Sequence, residues 1–139
     1  MARFTLDIVD EYPYTLMGIN TSLKGYRLAW NLNKKMSIGL RREDPLESVN
    51  KLKEKVSFAF FTGFDESQNK VYRLVENRSG GNLFIPEQPR CDYLLIADRS
   101  EEGGTGDLLK IIRGINSVSV AFEIEIESLK SKQNILLTV

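Results

Sequence analysis

The run CDYLLIAD, residues 91–98, is apolar on both sides of an extended chain, with Tyr93, Leu95 and Ala97 pointing one way and Leu94 and Ile96 the other. Successive side chains of a strand alternate between its two faces. A strand apolar on both belongs at the centre of a sheet, with neighbours on either edge. The rest of the fold has to be built around it. SVSVAFEIEIES (117–128) alternates strictly, Val118, Val120, Phe122, Ile124 and Ile126 against Ser119, Ala121, Glu123, Glu125 and Glu127, which predicts a strand. Between the two, GGTGDLLKIIRGI (103–115) places Leu108, Ile111, Ile112 and Ile115 at i, i+3, i+4 and i+7, an amphipathic helix ending near Gly114. Strand, helix and strand over 91–126 make a βαβ-like unit.

The remaining segments read as strands and turns. RFTLDIV (3–9) alternates as a strand, and TLMGIN (15–20) is expected to pair back on it. A helix is predicted over 22–35 with Ser22 as N-cap, Leu28, Leu32 and Met36 on one stripe and Leu23, Tyr26 and Trp30 on another. We expect Tyr26 and Trp30 to pack this helix on the sheet; an exposed pair would instead mark a contact surface. SIGLRRE (37–43) is a predicted strand, and EDPLESVNKLKEK (43–55) a charged connector with a short turn of helix. KVSFAFFTGF (55–64) and KVYRLVEN (70–77) read as a hairpin about DESQN (65–69), RSGGN (78–82) as punctuation, and NILLTV (134–139) as a last short strand. The expected architecture is a single α+β domain over 1–139, a mainly antiparallel sheet of about six strands with two helices packed on one face.

Residue types restrict the chemistry. There is no histidine and one cysteine, Cys91. Ser-His-Asp and Cys-His catalysis, imidazole zinc sites, four-cysteine zinc sites and iron–sulfur clusters are thereby excluded within this chain. Nineteen basic residues balance nineteen acidic ones, so no broad positive field gathers phosphates, and nucleic acid is not the expected partner. No apolar run approaches the roughly 20 residues of a membrane span. Asp7, Asp10 and Glu11 interrupt the apolar residues of the N-terminal stretch, unlike a signal peptide, and with the lone cysteine this predicts a cytoplasmic protein. No cofactor or metal is expected.

Glu123, Glu125 and Glu127 on one strand face would stand about 6.8 Å apart, within reach of a shared cation, but read best as a solvated face. EEGGTGD (101–107) precedes a helix, as a phosphate loop would, yet its own carboxylates repel anions. The aromatics of VSFAFFTGF (56–64) are expected to be core rather than an RNA-stacking strand. Lys34, Lys35, Arg41 and Arg42 would suggest an RNA surface only if they joined one patch, and Lys51, Lys53 and Lys55 read as a solvated rim.

The segment GNLFIPEQPRCDYLLIAD (81–98) frames Glu87 between two prolines. Pro86 and Pro89 restrict their own φ and that of the residues before them, predicting a stiff, extended lead whose sheet pairing begins at about Arg90. Asp92, if partly buried, needs a donor, and a structural hydrogen bond or ion pair is expected. IPEQPRCDY (85–93) resembles the signature of the IPExxxVDY family of small uncharacterised bacterial proteins, with Cys91 in the place of the valine; SLKGYRLAW (22–30) and LKSKQN (129–134) are similar to that family's helix and tail. The resemblance implies a cytoplasmic bacterial protein of unestablished activity and marks Ile85, Pro86, Glu87, Asp92 and Tyr93 as candidates without assigning roles. The preferred expectation is a non-enzymatic binding or protein-interaction module, self-associating or with a protein partner, that uses a sheet edge or the rim around 85–93. A carboxylate enzyme using Glu87 and Asp92, with Lys24 or a divalent metal, is the alternative, and a weak RNA-binding module is third.

Overall fold

The computed structural model describes residues 13–98 and 105–139. Its fold is α+β. Among the described residues ten strands form: β1 Tyr14–Thr21, β2 Arg41–Arg42, β3 Leu46–Val49, β4 Lys55–Phe58, β5 Phe60–Asp65, β6 Lys70–Glu76, β7 Arg78–Ser79, β8 Asn82–Leu83, β9 Tyr93–Asp98 and β10 Val118–Ile124. The described residues also form two α-helices, α1 Gly25–Met36 and α2 Thr105–Arg113, and two 3₁₀ segments, Ile126–Ser128 and Lys132–Thr138.

Six strands make one antiparallel sheet in the order β10-β1-β9-β6-β5-β2. The doubly apolar run at 93–98 lies inside it, between β1 and β6. Both β9 and β10 run antiparallel to β1, so they are parallel to each other with β1 inserted between them. The βαβ-like unit is thus real but split. From Leu16 to Ile19 β1 has β10 on one edge and β9 on the other. The pairing expected between 15–20 and 3–9 falls on a segment outside the described residues.

Each face of the sheet buries a separate core. On one, Met17, Ile19, Phe61, Leu74 and Leu95 meet Leu28 and Leu32 of α1 and Leu108 and Ile112 of α2. On the other, Leu16, Phe60, Val75, Leu94 and Ile96 are covered by Val56 and Phe58 of β4, by Phe84, Ile85 and Cys91, and by Ile126, Leu129 and Ile135 of the C-terminal segment. Helices cover one face as expected, and the cover on the second face departs from the sequence reading in three places. The connector at 43–55 is no helix: Asn50 accepts the amides of Leu52 and Glu54 and closes a β3–β4 hairpin. The run 55–64 breaks at Ala59, whose carbonyl accepts Glu76 N–H at 2.9 Å, so β4 pairs with β3 and β5 with β6. The tail predicted as a strand is 3₁₀, with Ile135 buried.

Local chemistry explains other departures. Ser22 is not the cap of α1; the helix starts at Gly25 after Lys24, which makes no side-chain cap bond. Residues 37–40 form no strand because Ser37 takes a left-handed φ of 55° in ending α1, and the Asn33 side chain occupies both backbone groups of Leu40. Strand pairing resumes only at Arg41. β10 stops at Ile124, four residues short of the predicted 117–128, as the chain turns into 3₁₀. RSGGN is a tight β7–β8 turn in which Gly80 (φ 53°) and Gly81 (φ 83°) supply two successive positive φ values. The hairpin about 65–69 forms as predicted, the Asp65 carboxylate accepting the amides of Ser67 and Gln68.

Candidate functional site

The proline-framed segment is not an extended lead. Gln88 N–H donates to Ile85 O (3.0 Å) and Cys91 N–H to Gln88 O (3.2 Å), so two β-turns follow one another with Pro86 and Pro89 each at the second position. Proline's fixed φ suits that position. Strand pairing begins at Tyr93, not Arg90.

Asn77 holds this double turn in place. It is buried, and its side-chain amide donates to Gln88 O (2.9 Å) and Cys91 O (3.0 Å) while its carbonyl accepts Ile85 N–H (2.8 Å). Its backbone N–H donates to Asp92 O, and its backbone carbonyl accepts Phe84 N–H. Sequence reasoning passed over Asn77, though a polar residue closing a strand just before a glycine turn was the available signal.

The five signature residues each join this junction to another element. Ile85 is buried in the second core, and Pro86 sets the first turn. Glu87 reaches the C-terminal segment, accepting Ser131 N–H at 2.7 Å and Ser131 Oγ–H at 2.6 Å. Partial burial alone would raise the Glu87 pKa, but the Ser131 hydroxyl and amide outweigh it and hold the carboxyl below the usual range. Asp92 Oδ2 accepts Thr21 N–H at 2.9 Å where β1 bulges, and Oδ1 lies 3.5 Å from Arg78 Nε. These are the structural hydrogen bond and ion pair expected of it. Tyr93 donates its hydroxyl to Leu23 O at 2.9 Å, and burial, with Glu76 and Asp92 nearby, pushes its pKa up to about 12. Cys91 is fully buried; burial foremost, then Asp92, moves its thiol up to about 11. It packs so close to Gly18 of β1 that a Cβ there would collide with its sulfur.

Glu87 and Asp92 therefore engage different elements, Ser131 on one side and Thr21 with Arg78 on the other. Neither lines the cleft of about 960 Å³ between the end of α1, the β5–β6 turn and α2, or the groove of about 550 Å³ beneath the β3–β4 hairpin, which only Pro86 of the signature reaches. Glu123, Glu125 and Glu127 are exposed, and because β10 ends at Ile124 only Glu123 lies on the strand. Among the described residues, no group of three or more His, Cys, Asp and Glu could hold a metal ion, and no helix is long and apolar enough to cross a membrane. Most of EEGGTGD lies outside the described residues. Phe58, Phe60 and Phe61 are core, as expected, but Phe64, near the end of β5, is 45% exposed.

The two aromatics of α1 do not pack on the sheet. Tyr26 is 60% exposed and Trp30 51%. They lie one helical turn apart, while Leu28, Ala29 and Leu32 take the buried side. Lys34 Nζ lies 4.3 Å above the Trp30 ring. The expected packing of this pair on the sheet is thus not found, and the exposed alternative is. Arg41, Arg42, Lys34 and Lys35 are all exposed but do not form one patch. Arg42 pairs with Phe61 and shares its helix-side face, its guanidinium 5.9 Å from that ring; Arg41 pairs with Thr62 and faces the other way.

No protein-family model matches the chain, and no curated protein sequence matches it.

Proposed function

We propose that this protein is a non-enzymatic interaction module that docks a protein partner on the outer face of α1. The observation that carries the reading is the exposed Tyr26–Trp30 pair on a helix whose other apolar residues are packed. Leaving two large aromatic rings in water forgoes roughly 1.5–3 kcal/mol of burial each. Tyr and Trp are also the side chains that anchor protein interfaces. The engagement of Glu87 and Asp92 in separate junctions removes the main support for carboxylate catalysis. We further propose a cytoplasmic, bacterial setting, supported by the likeness of residues 85–93 to the IPExxxVDY signature.

The test is reconstitution. Partners captured by the wild-type chain are rebuilt from purified components, with a second copy of the chain among the candidates, and compared with Tyr26→Ser/Trp30→Ser. Binding lost at unchanged melting temperature is expected. A partner held equally by both proteins would sink the reading.

A further inference from the structure

The charges of this protein cancel over the whole chain but not along it. Residues 12–42 contain Lys24, Arg27, Lys34, Lys35, Arg41 and Arg42 and no Asp or Glu. α1 lies within this stretch, and at its start the charge runs against helix stability. Its first turn has no acidic residue, Arg27 sits there instead, and Lys24 makes no side-chain cap bond. The positive end of a helix favours carboxylates and disfavours Arg27, and the cap position favours Ser, Thr, Asn or Asp. Helix stability accounts for Lys34 and Lys35, which lie in the last turn where the negative end of the helix favours cations, but not for Arg27 in the first.

The geometry groups the charges with the aromatics. At 3.6 residues per turn, Tyr26, Trp30, Lys34 and Arg27 fall within about 100° of the helix surface. All four are exposed. Arg42 flanks the start of the helix, because it lies over Phe61 and that ring contacts Gly25. Lys35 turns away, toward Gly114 at the end of α2.

We propose that the outer face of α1 binds an acidic segment of a partner protein, its carboxylates meeting Arg27, Lys34 and Arg42 while its apolar side chains cover Tyr26 and Trp30. The proposal rests on the docking reading above and names the chemistry of the partner. Protein is favoured over nucleic acid because Arg41 and Lys35 leave the face, and because Lys34 already covers one side of the Trp30 ring on which a base would stack.

Trp30 is the only tryptophan, so tryptophan emission excited at the red edge, where tyrosine does not absorb, reports on this face alone. The full chain is titrated with a random copolymer of glutamate and leucine and, in parallel, with an oligouridylate of equal charge; labelled probes give the affinities of variants by polarisation. We expect the copolymer to change Trp30 emission saturably and its binding to weaken about tenfold in Arg27→Glu/Lys34→Glu. Binding should also fall in about 0.5 M salt, where the Debye length shrinks to about 4 Å. Arg42→Glu, which lies off the helix, provides a second variant should the first melt early. No response to the copolymer, tighter binding of oligouridylate, or charge variants that bind as well as wild type would overturn the proposal. A reconstituted partner lost in Tyr26→Ser/Trp30→Ser yet held by both charge variants would overturn acidity alone and leave the docking reading standing. A partner indifferent to both sets would end both.

Discussion

Asn77 shows how much of this protein is held by a single polar side chain. A buried amide is tolerated only when its donors and acceptor are used, and all of those on Asn77 are used on the double turn. The carboxylate of Glu87 works by the same rule at the next junction, accepting two bonds from Ser131. Its folded pKa lies below the ordinary 4.5, so the stability it contributes is fully present above about that pH and is lost as the pH falls through the lower folded value. Glu87→Ala should cost about 1–2 kcal/mol at neutral pH, from loss of a charge-assisted bond pair. Urea melts of wild type and variant should converge in acid below that window. A gap that persists unchanged there would mean that Glu87 acts through packing, not through its charge.

At the scale of elements, α1 is a helix whose position comes from one side and whose ends are left unoptimised. Leu28, Ala29 and Leu32 set it on the sheet, Tyr93 ties its approach by a bond to Leu23 O, and Ser37 ends it. The start has extended cap geometry at Lys24 but no side-chain acceptor. Lys24→Asp should supply one and stabilise the protein by about 1 kcal/mol, a rise of about 3 °C in melting temperature. Thermal melting checks it, and an unchanged or lower value would show that the N–H groups at this end are already satisfied. The sheet segments teach a different lesson. The run 55–64 was readable as extended chain and as core, but its division between two sheets at Ala59 depends on Glu76, seventeen residues downstream. No local pattern contains that information.

For the molecule as a whole, the second core matters most. The sheet face opposite the helices would be open without the β3–β4 hairpin and the C-terminal segment, which bring Phe58, Leu129 and Ile135 over Leu94 and Ile96. Truncation after Ser128 should therefore cost well over the 2–5 kcal/mol of a single large-to-small core change, because several apolar side chains and the Ser131 partner of Glu87 go together. The expected readout is a fall in melting temperature with binding of an apolar dye to the uncovered face. A truncated chain that melts with the wild type would mean that the tail adds no more than surface.

Periodicity alone determined the α+β class, the interior position of the 93–98 strand, the two amphipathic helices and the hairpin about 65–69, because those signals lie within one element and follow from side-chain spacing. Residue types alone excluded histidine and clustered-thiol chemistry. Tertiary structure decided what the signature residues do. Ile85, Glu87, Asp92 and Tyr93 stand close in sequence, but their partners are Asn77, Ser131, Thr21 and Leu23, and only folding brings those together. It also decided the fate of Tyr26 and Trp30. Either side of an amphipathic helix can carry aromatics, and which side meets the sheet was settled by Leu28 and Leu32 packing against both Phe61 and the central strands. Burial is a property of neighbours, and the core that α1 joins draws on strands of the sheet and a second helix that no window of its own sequence contains.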